Sequence, residues 1–137
     1  ARKTEIHRNS INNYLYFLHE SRLIHLLYAD GISVATLQKP EKVYLNNTNL
    51  LYALSENKPS PGTIREVFFC NQLSARNRVN HGKTADFIVN DRYHFEIGGK
   101  SKKPNQVKDL PSAWLVKDDL EYPVGRSLPL WLFGLLY

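Results

Sequence analysis

Apolar and polar positions alternate most regularly between Thr84 and Lys100, in TADFIVNDRYHFEIGGK. Phe87 and Val89, then Tyr93, Phe95 and Ile97, recur with a period of two, the pattern of a half-buried β-hairpin. With Asn90, Asp91 and Arg92 as a three-residue turn, Val89 faces Tyr93, Phe87 faces Phe95, and Asp86 faces Glu96. A two-residue turn would place the two acids on opposite faces, because a one-residue slip flips every side chain. The first register matches the apolar pairs and is the one expected. It buries one face and brings two carboxylates together on the other. The competing reading leaves both acids as solvated hairpin residues.

Helical periodicity is clearest over residues 8 to 27, where Ile11, Tyr14, Leu15 and Leu18 follow the i, i+3, i+4, i+7 rule. Asn9, Asn12, Asn13 and Tyr16 form the opposite, polar face, with Arg8 just before it. Asn and Arg side chains read base edges in a DNA major groove. The run LIHLLYADGISVATLQ follows, with Asp30-Gly31 as a hairpin turn between two β-rich segments. Helix then hairpin is the second half of a winged helix; alternatively, both elements only pack against the domain. Next come a short strand, KVYLN, and a short helix capped by Thr48 or Asn49 before LLYALS. The loop ENKPSPG leads to a second clear helix, Thr63 to Leu73, with Ile64, Val67, Phe68 and Asn71 on one face. Thr63-x-x-Glu66 reads as a capping box, which by itself accounts for Glu66. The polar, basic stretch from Ala75 to Lys83 precedes the hairpin, and GGKSKKPNQVK follows it as a solvated basic loop. In the tail, Trp114 to Val116 is expected as a strand, Asp118-Asp119 as turn residues, and Pro129 to Tyr137 as a last strand.

Composition bounds what this pattern can build. At 137 residues, 42% hydrophobic and 12% aromatic, the chain is one ordinary domain, or one domain with a small appendage. No apolar run approaches the roughly 18 residues of a membrane span, and the basic, polar start ARKTEIHRNS is not a signal peptide. The lone cysteine, Cys70, excludes an internal disulfide and suits a reducing compartment, the cytoplasm. It lies in an apolar run, as a buried packing residue would. A chain that begins with Ala and contains no Met is expected to be a fragment or a processed product. Charge is uneven: residues 1 to 108 carry 16 basic and 9 acidic side chains, a net +7, and residues 109 to 137 carry 2 and 4, a net −2, which together give +5. A basic body permits contact with DNA or another polyanion.

Several chemistries are excluded. GGKS is not a phosphate-binding loop, because G-x-x-x-x-G-K-[ST] would need a glycine at position 94, which is His94, and Pro104 spoils the helix that should follow. No His or Cys spacing resembles a zinc site, and no Ser/His/Asp arrangement stands out.

The order of motifs is the most informative feature. A helix Glu, a strand opening with Asp, then its hairpin partner carrying Glu followed by lysine, resembles the PD-(D/E)XK nuclease-like fold. More closely, the chain resembles the C-terminal region of a predicted prokaryotic AAA+-type ATPase family. There, an N-terminal ATPase domain is followed by a winged helix and a nuclease-like domain of unknown function. RNSINNYLYFLHESRLI and KVYLNNTNLLYAL carry the winged-helix segment and the junction. GTIREVFFCNQL, ADFIVNDRYHFEIGGK and PLWLFGLLY carry the nuclease-like part. The resemblance implies an α/β (α+β mixed sheet) restriction-endonuclease-like core over residues 39–137, with a partial winged-helix segment over residues 1–38. It implies Asp86 and Glu96 as ligands of Mg²⁺ or Mn²⁺, since hard carboxylate oxygens suit these ions. Glu66 becomes the helix acid that orients the site, and Gln106 a polar residue of the next helix. The chain departs from the pattern two residues after Glu96, where Gly98 stands in place of lysine. Either the two glycines let Lys100 swing inward, or the site has lost its base and the fold is kept as a scaffold. The scaffold reading is the one expected: an accessory domain that binds nucleic acid or a partner protein beside the rest of the parent ATPase, with ATP bound only in the absent N-terminal domain. Lys102 and Lys103, with Arg8, Asn9 and Asn12, are the candidate nucleic-acid contacts. The alternatives are a Mg-dependent DNase using Asp86, Glu96 and Lys100, and a winged-helix DNA-binding regulator. No membrane partner is expected.

Overall fold

A computed structural model describes residues 8–31, 39–103 and 109–136. Helix α1, Arg8–Glu20, stops seven residues earlier than its periodicity suggests. Arg22 adopts a left-handed backbone (φ 55°), Leu23 N–H bonds back to Leu18 O, and Arg22 N–H bonds to His19 O. This is a Schellman stop built on arginine rather than glycine, so the usual punctuation is missing from the sequence. The next four residues, Ile24–Leu27, form strand β1. It pairs antiparallel with β2, Lys42–Leu45, with Leu27 opposite Lys42 and Ile24 opposite Leu45. The second arm of the expected wing hairpin, residues 32–38, lies outside the described residues. Helix α1 also differs in what it buries. Leu15 packs against Ile24, Leu26 and Tyr28, but Ile11, Tyr14 and Leu18 remain exposed, because α1 meets the domain mainly through β1.

Helix α2, Thr48–Leu54, is capped by Asn47, whose Oδ1 accepts the Leu50 N–H at 2.9 Å. Helix α3, Pro61–Ser74, begins two residues before the expected start. Proline is pre-organised for the first helical turn, and the serine before it is a strong cap. Ser60 Oγ accordingly accepts the Thr63 N–H at 3.1 Å. Thr63 is therefore inside the helix, the expected capping box does not form, and Glu66 is free for other work.

Five strands form a mixed sheet in the order β3-β4-β5-β6-β7. They are β3 (Val79–His81), β4 (Phe87–Val89), β5 (Tyr93–Gly98), β6 (Ala113–Lys117) and β7 (Ser127–Pro129). The hairpin register is the expected one, with Phe87 opposite Phe95 and Val89 opposite Tyr93. Asn90 and Asp91 both sit at φ 53°, the left-handed pair that matches strand twist in tight hairpins. Strand β3 falls in the stretch read only as polar and basic. Three residues are too few for an alternation signal, and Asn90 holds the strand in place by accepting the Arg78 N–H on Oδ1 at 3.0 Å. From β5 onward the pairing is parallel, β5 to β6 and β6 to β7.

One face of this sheet is covered by α3 and by a 3-10 helix, Leu130–Leu135, where a last strand was expected. Pro129 ends the ladder, and Leu130 and Phe133, three apart, turn back into the core. Phe69 of α3 is fully buried, with its ring 5.1 Å from Phe87, 5.1 Å from Phe95 and 4.8 Å from Phe133. Cys70 beside it is fully buried, and burial pushes its thiol up to about 12, as an inert packing residue requires. The architecture is thus mixed α/β, a five-stranded mixed sheet beside a two-stranded one. Among the described residues, no helix is long and apolar enough to cross a membrane.

Candidate acidic site

Three carboxylates arrive from three elements. Glu66 comes from α3, Asp86 from the residue before β4, and Glu96 from within β5. The hairpin register sets Asp86 beside the end of β5, where its Oδ2 accepts the Ile97 N–H at 2.8 Å. Neither hairpin acid is fully solvated: Asp86 is half-buried. Glu96 is 2% exposed, one of only two buried polar or charged residues among those described.

Two lysines answer the three acids. Lys102 Nζ lies 2.5 Å from Glu96 Oε1. Lys42 Nζ, from β2, stands between the other two, 3.5 Å from Glu66 Oε2 and 4.0 Å from Asp86 Oδ1. Tyr44, two residues along the same strand, donates a short hydrogen bond from its hydroxyl to Glu66 Oε2. Burial raises the Tyr44 phenol well above its ordinary value, and Glu66 adds to the shift. The hydrogen bond to Glu96 raises Lys102 above its ordinary value, against the opposing pull of burial. Three acidic and two basic side chains give the cluster a formal charge of −1.

The lysine position resolves differently from the expectation. Lys100 is exposed and does not turn inward; its carbonyl accepts a hydrogen bond from Lys117 Nζ at 3.1 Å. A tight turn, with Lys102 N–H bonding Gly99 O at 3.0 Å, returns the chain toward β5 instead. The stem of Lys102 then lies directly over Gly98, so that a Cβ at position 98 would overlap its Cβ and Cγ. Gly98 leaves free the space that a side chain at that position would occupy, and Lys102 fills it. Gly99 is close-packed in turn: a Cβ there would meet Arg65 Nη2 at 3.1 Å, and Arg65 pairs with Asp118. Asp118, read as a plain turn residue, thus holds a partner across the core edge.

Lys42 and Tyr44 went unnoticed in the sequence. The signal is the period of KVYL: Lys42 and Tyr44 share one side of β2, while Val43 between them is 47% exposed. Of the expected nucleic-acid contacts, Lys103 is exposed, Lys102 is committed to Glu96, and Asn12 is half-buried on α1. Arg8 and Asn9 lie in the first turn of α1, and Gln106 falls outside the described residues.

A divalent metal does not fit this arrangement as it stands. The oxygens are of the hard type that Mg²⁺ takes. Yet among the described residues, no three His, Cys, Asp or Glu side chains are grouped to hold an ion, and each carboxylate already has an ammonium within 4.0 Å. No family model, curated protein or solved structure matches the chain.

Proposed function

We propose that this chain is an accessory, nuclease-like domain whose acidic site is occupied by its own lysines, and that it binds nucleic acid through the basic rim around that site. The carrying observation is the pairing of every site carboxylate with an internal ammonium, Lys42 or Lys102. The β4–β5 hairpin, the parallel step to β6 and the covering helix α3 support a restriction-endonuclease-like core. The exposed lysines Lys83, Lys100 and Lys103 flank the strand ends that carry Asp86 and Glu96, and suit phosphates running past the site. On this reading the domain serves a AAA+-type ATPase, and α1 belongs to a winged-helix segment.

One observation favours a second reading, a Mg-dependent DNase. Lys102 fills the space over Gly98, so a lysine does stand beside Glu96, supplied from the following turn. Titration with Mn²⁺ or Mg²⁺, followed by incubation with plasmid and single-stranded DNA, separates the two. The accessory reading expects no cleavage and a salt-sensitive DNA shift that survives Asp86→Asn and weakens when Lys100 and Lys103 become glutamine. Metal-dependent cutting lost in Asp86→Asn would overturn it in favour of the DNase. No shift at any low salt would overturn nucleic-acid binding and move the search to protein partners.

A further inference from the structure

A cavity of about 500 Å³ lies between α2, α3, the turn after β6 and the 3-10 helix. It shares no residue with the acidic cluster and rests on no part of the reading above. Its apolar floor follows from local spacing. Ile64 and Phe68, four apart, share one face of α3, and Leu130 joins them from the start of the 3-10 helix. Phe68 is held in place, since a Cβ at Gly134 would meet its ring at 3.2 Å. Two further aromatic side chains line the same cavity: Tyr52 of α2, 51% exposed, and Trp131 of the 3-10 helix, 54% exposed. A single exposed aromatic residue needs no explanation. Two from separate elements, meeting at one apolar cavity, mark a binding surface.

The charges narrow the chemistry. Among the described residues, Arg65, Asp118 and Asp119 are the charged groups at this cavity. Arg65 and Asp118 are paired with each other. Asp119 is exposed and has no ion-pair partner among the described residues. One basic and two acidic side chains give the cavity a formal charge of −1, on a chain whose net charge is +5. That complementarity favours a cation over an anion. Aromatic faces attract cations through the ring quadrupole, Trp most strongly. A primary ammonium would bring three N–H donors to walls that are mostly apolar. A quaternary ammonium brings none, and its methyl groups suit apolar and aromatic walls. The volume lies in the range of roughly 300–1,000 Å³ typical of small-ligand sites.

We propose that this cavity binds a small-molecule quaternary ammonium against Tyr52 and Trp131, with Asp119 balancing its charge. The test is calorimetric titration of the chain with choline and with benzyltrimethylammonium. The control is the uncharged analogue of choline in which carbon replaces the nitrogen. At least one cation should bind, and choline should bind about tenfold more tightly than its uncharged analogue. Trp131→Leu should weaken the cation by about tenfold, and Asp119→Asn by about fivefold. Asp119 sits at φ 57°, a left-handed conformation that Asn also tolerates, so Asp119→Asn removes the charge without backbone strain. Thermal melting checks each fold; if Trp131→Leu is unfolded, Tyr52→Leu takes its place with the same expected loss. Absence of binding by both cations up to about 10 mM overturns the proposal. So does equal binding of the uncharged analogue, or binding that the substitutions leave unchanged. A trimethyllysine peptide that binds more than about tenfold tighter than both small cations would assign the ammonium to a partner protein and overturn the small-molecule source.

Discussion

Replacing Lys102 by methionine keeps the aliphatic stem over Gly98 and removes only the ammonium that faces Glu96. The Glu96 side chain is 3% exposed, so its carboxylate has little water to turn to. Removing one partner of a buried ion pair costs about 3–5 kcal/mol, mostly from the charge left behind. The Lys102 side chain is 38% exposed, and water can enter where its head group was, which places the expected loss at the low end, about 3 kcal/mol. With a urea m-value of about 2 kcal/mol/M, Lys102→Met should lower the unfolding midpoint by about 1.5 M. Lys100→Met, at an exposed position, should stay within about 0.5 kcal/mol of the parent. Glu96→Gln combined with Lys102→Met should cost less than the two single losses summed, because no charge is then stranded. A loss below about 1 kcal/mol for Lys102→Met, equal to that for Lys100→Met, would be the value of an exposed pair. It would refute the assignment of Lys102 as the partner of a buried Glu96.

Two further outcomes follow from the same geometry. Ser60→Ala should cost about 1 kcal/mol of unfolding free energy and Thr63→Ala distinctly less, since Ser60 and not Thr63 caps α3; urea midpoints decide it, and the reverse order would restore the capping box. The lowered His25 pKa makes the unfolded chain the better proton binder, so the stability that His25 contributes is present above pH 6.5 and lost as pH falls toward the folded value; His25→Asn should flatten that acid-side slope in melts between pH 7 and 5.

The hairpin was legible because its determinants are local. Period-two alternation and a polar three-residue turn admit one register, and that register carries Asp86 to the end of β5, where it accepts the Ile97 N–H. The α3 start was legible to within two residues, but its cap was misassigned: Thr63 and Glu66 satisfy a spacing rule that Ser60 and Pro61 outrank. Helix α1 overran for a similar reason, since its stop uses Arg22 in a left-handed conformation that the sequence does not flag. In each case the residue types were right and a neighbouring residue won a local competition.

The site was half legible for a different reason. Its carboxylates belong to the hairpin and the helix, whose patterns are readable, whereas its cations are placed by tertiary contacts. Nothing in KVYLN says that β2 pairs with β1 and so sets Lys42 between Glu66 and Asp86. Nothing in GGKSKK says which lysine returns, because the choice is made by volume. Gly98 leaves space over β5, Gly99 is pinned against Arg65, and the turn closed by Gly99 O delivers the residue at 102 and not the one at 100. A sequence rule that looks for lysine two positions after the glutamate therefore finds a gap, while the folded chain puts an ammonium 2.5 Å from that same glutamate.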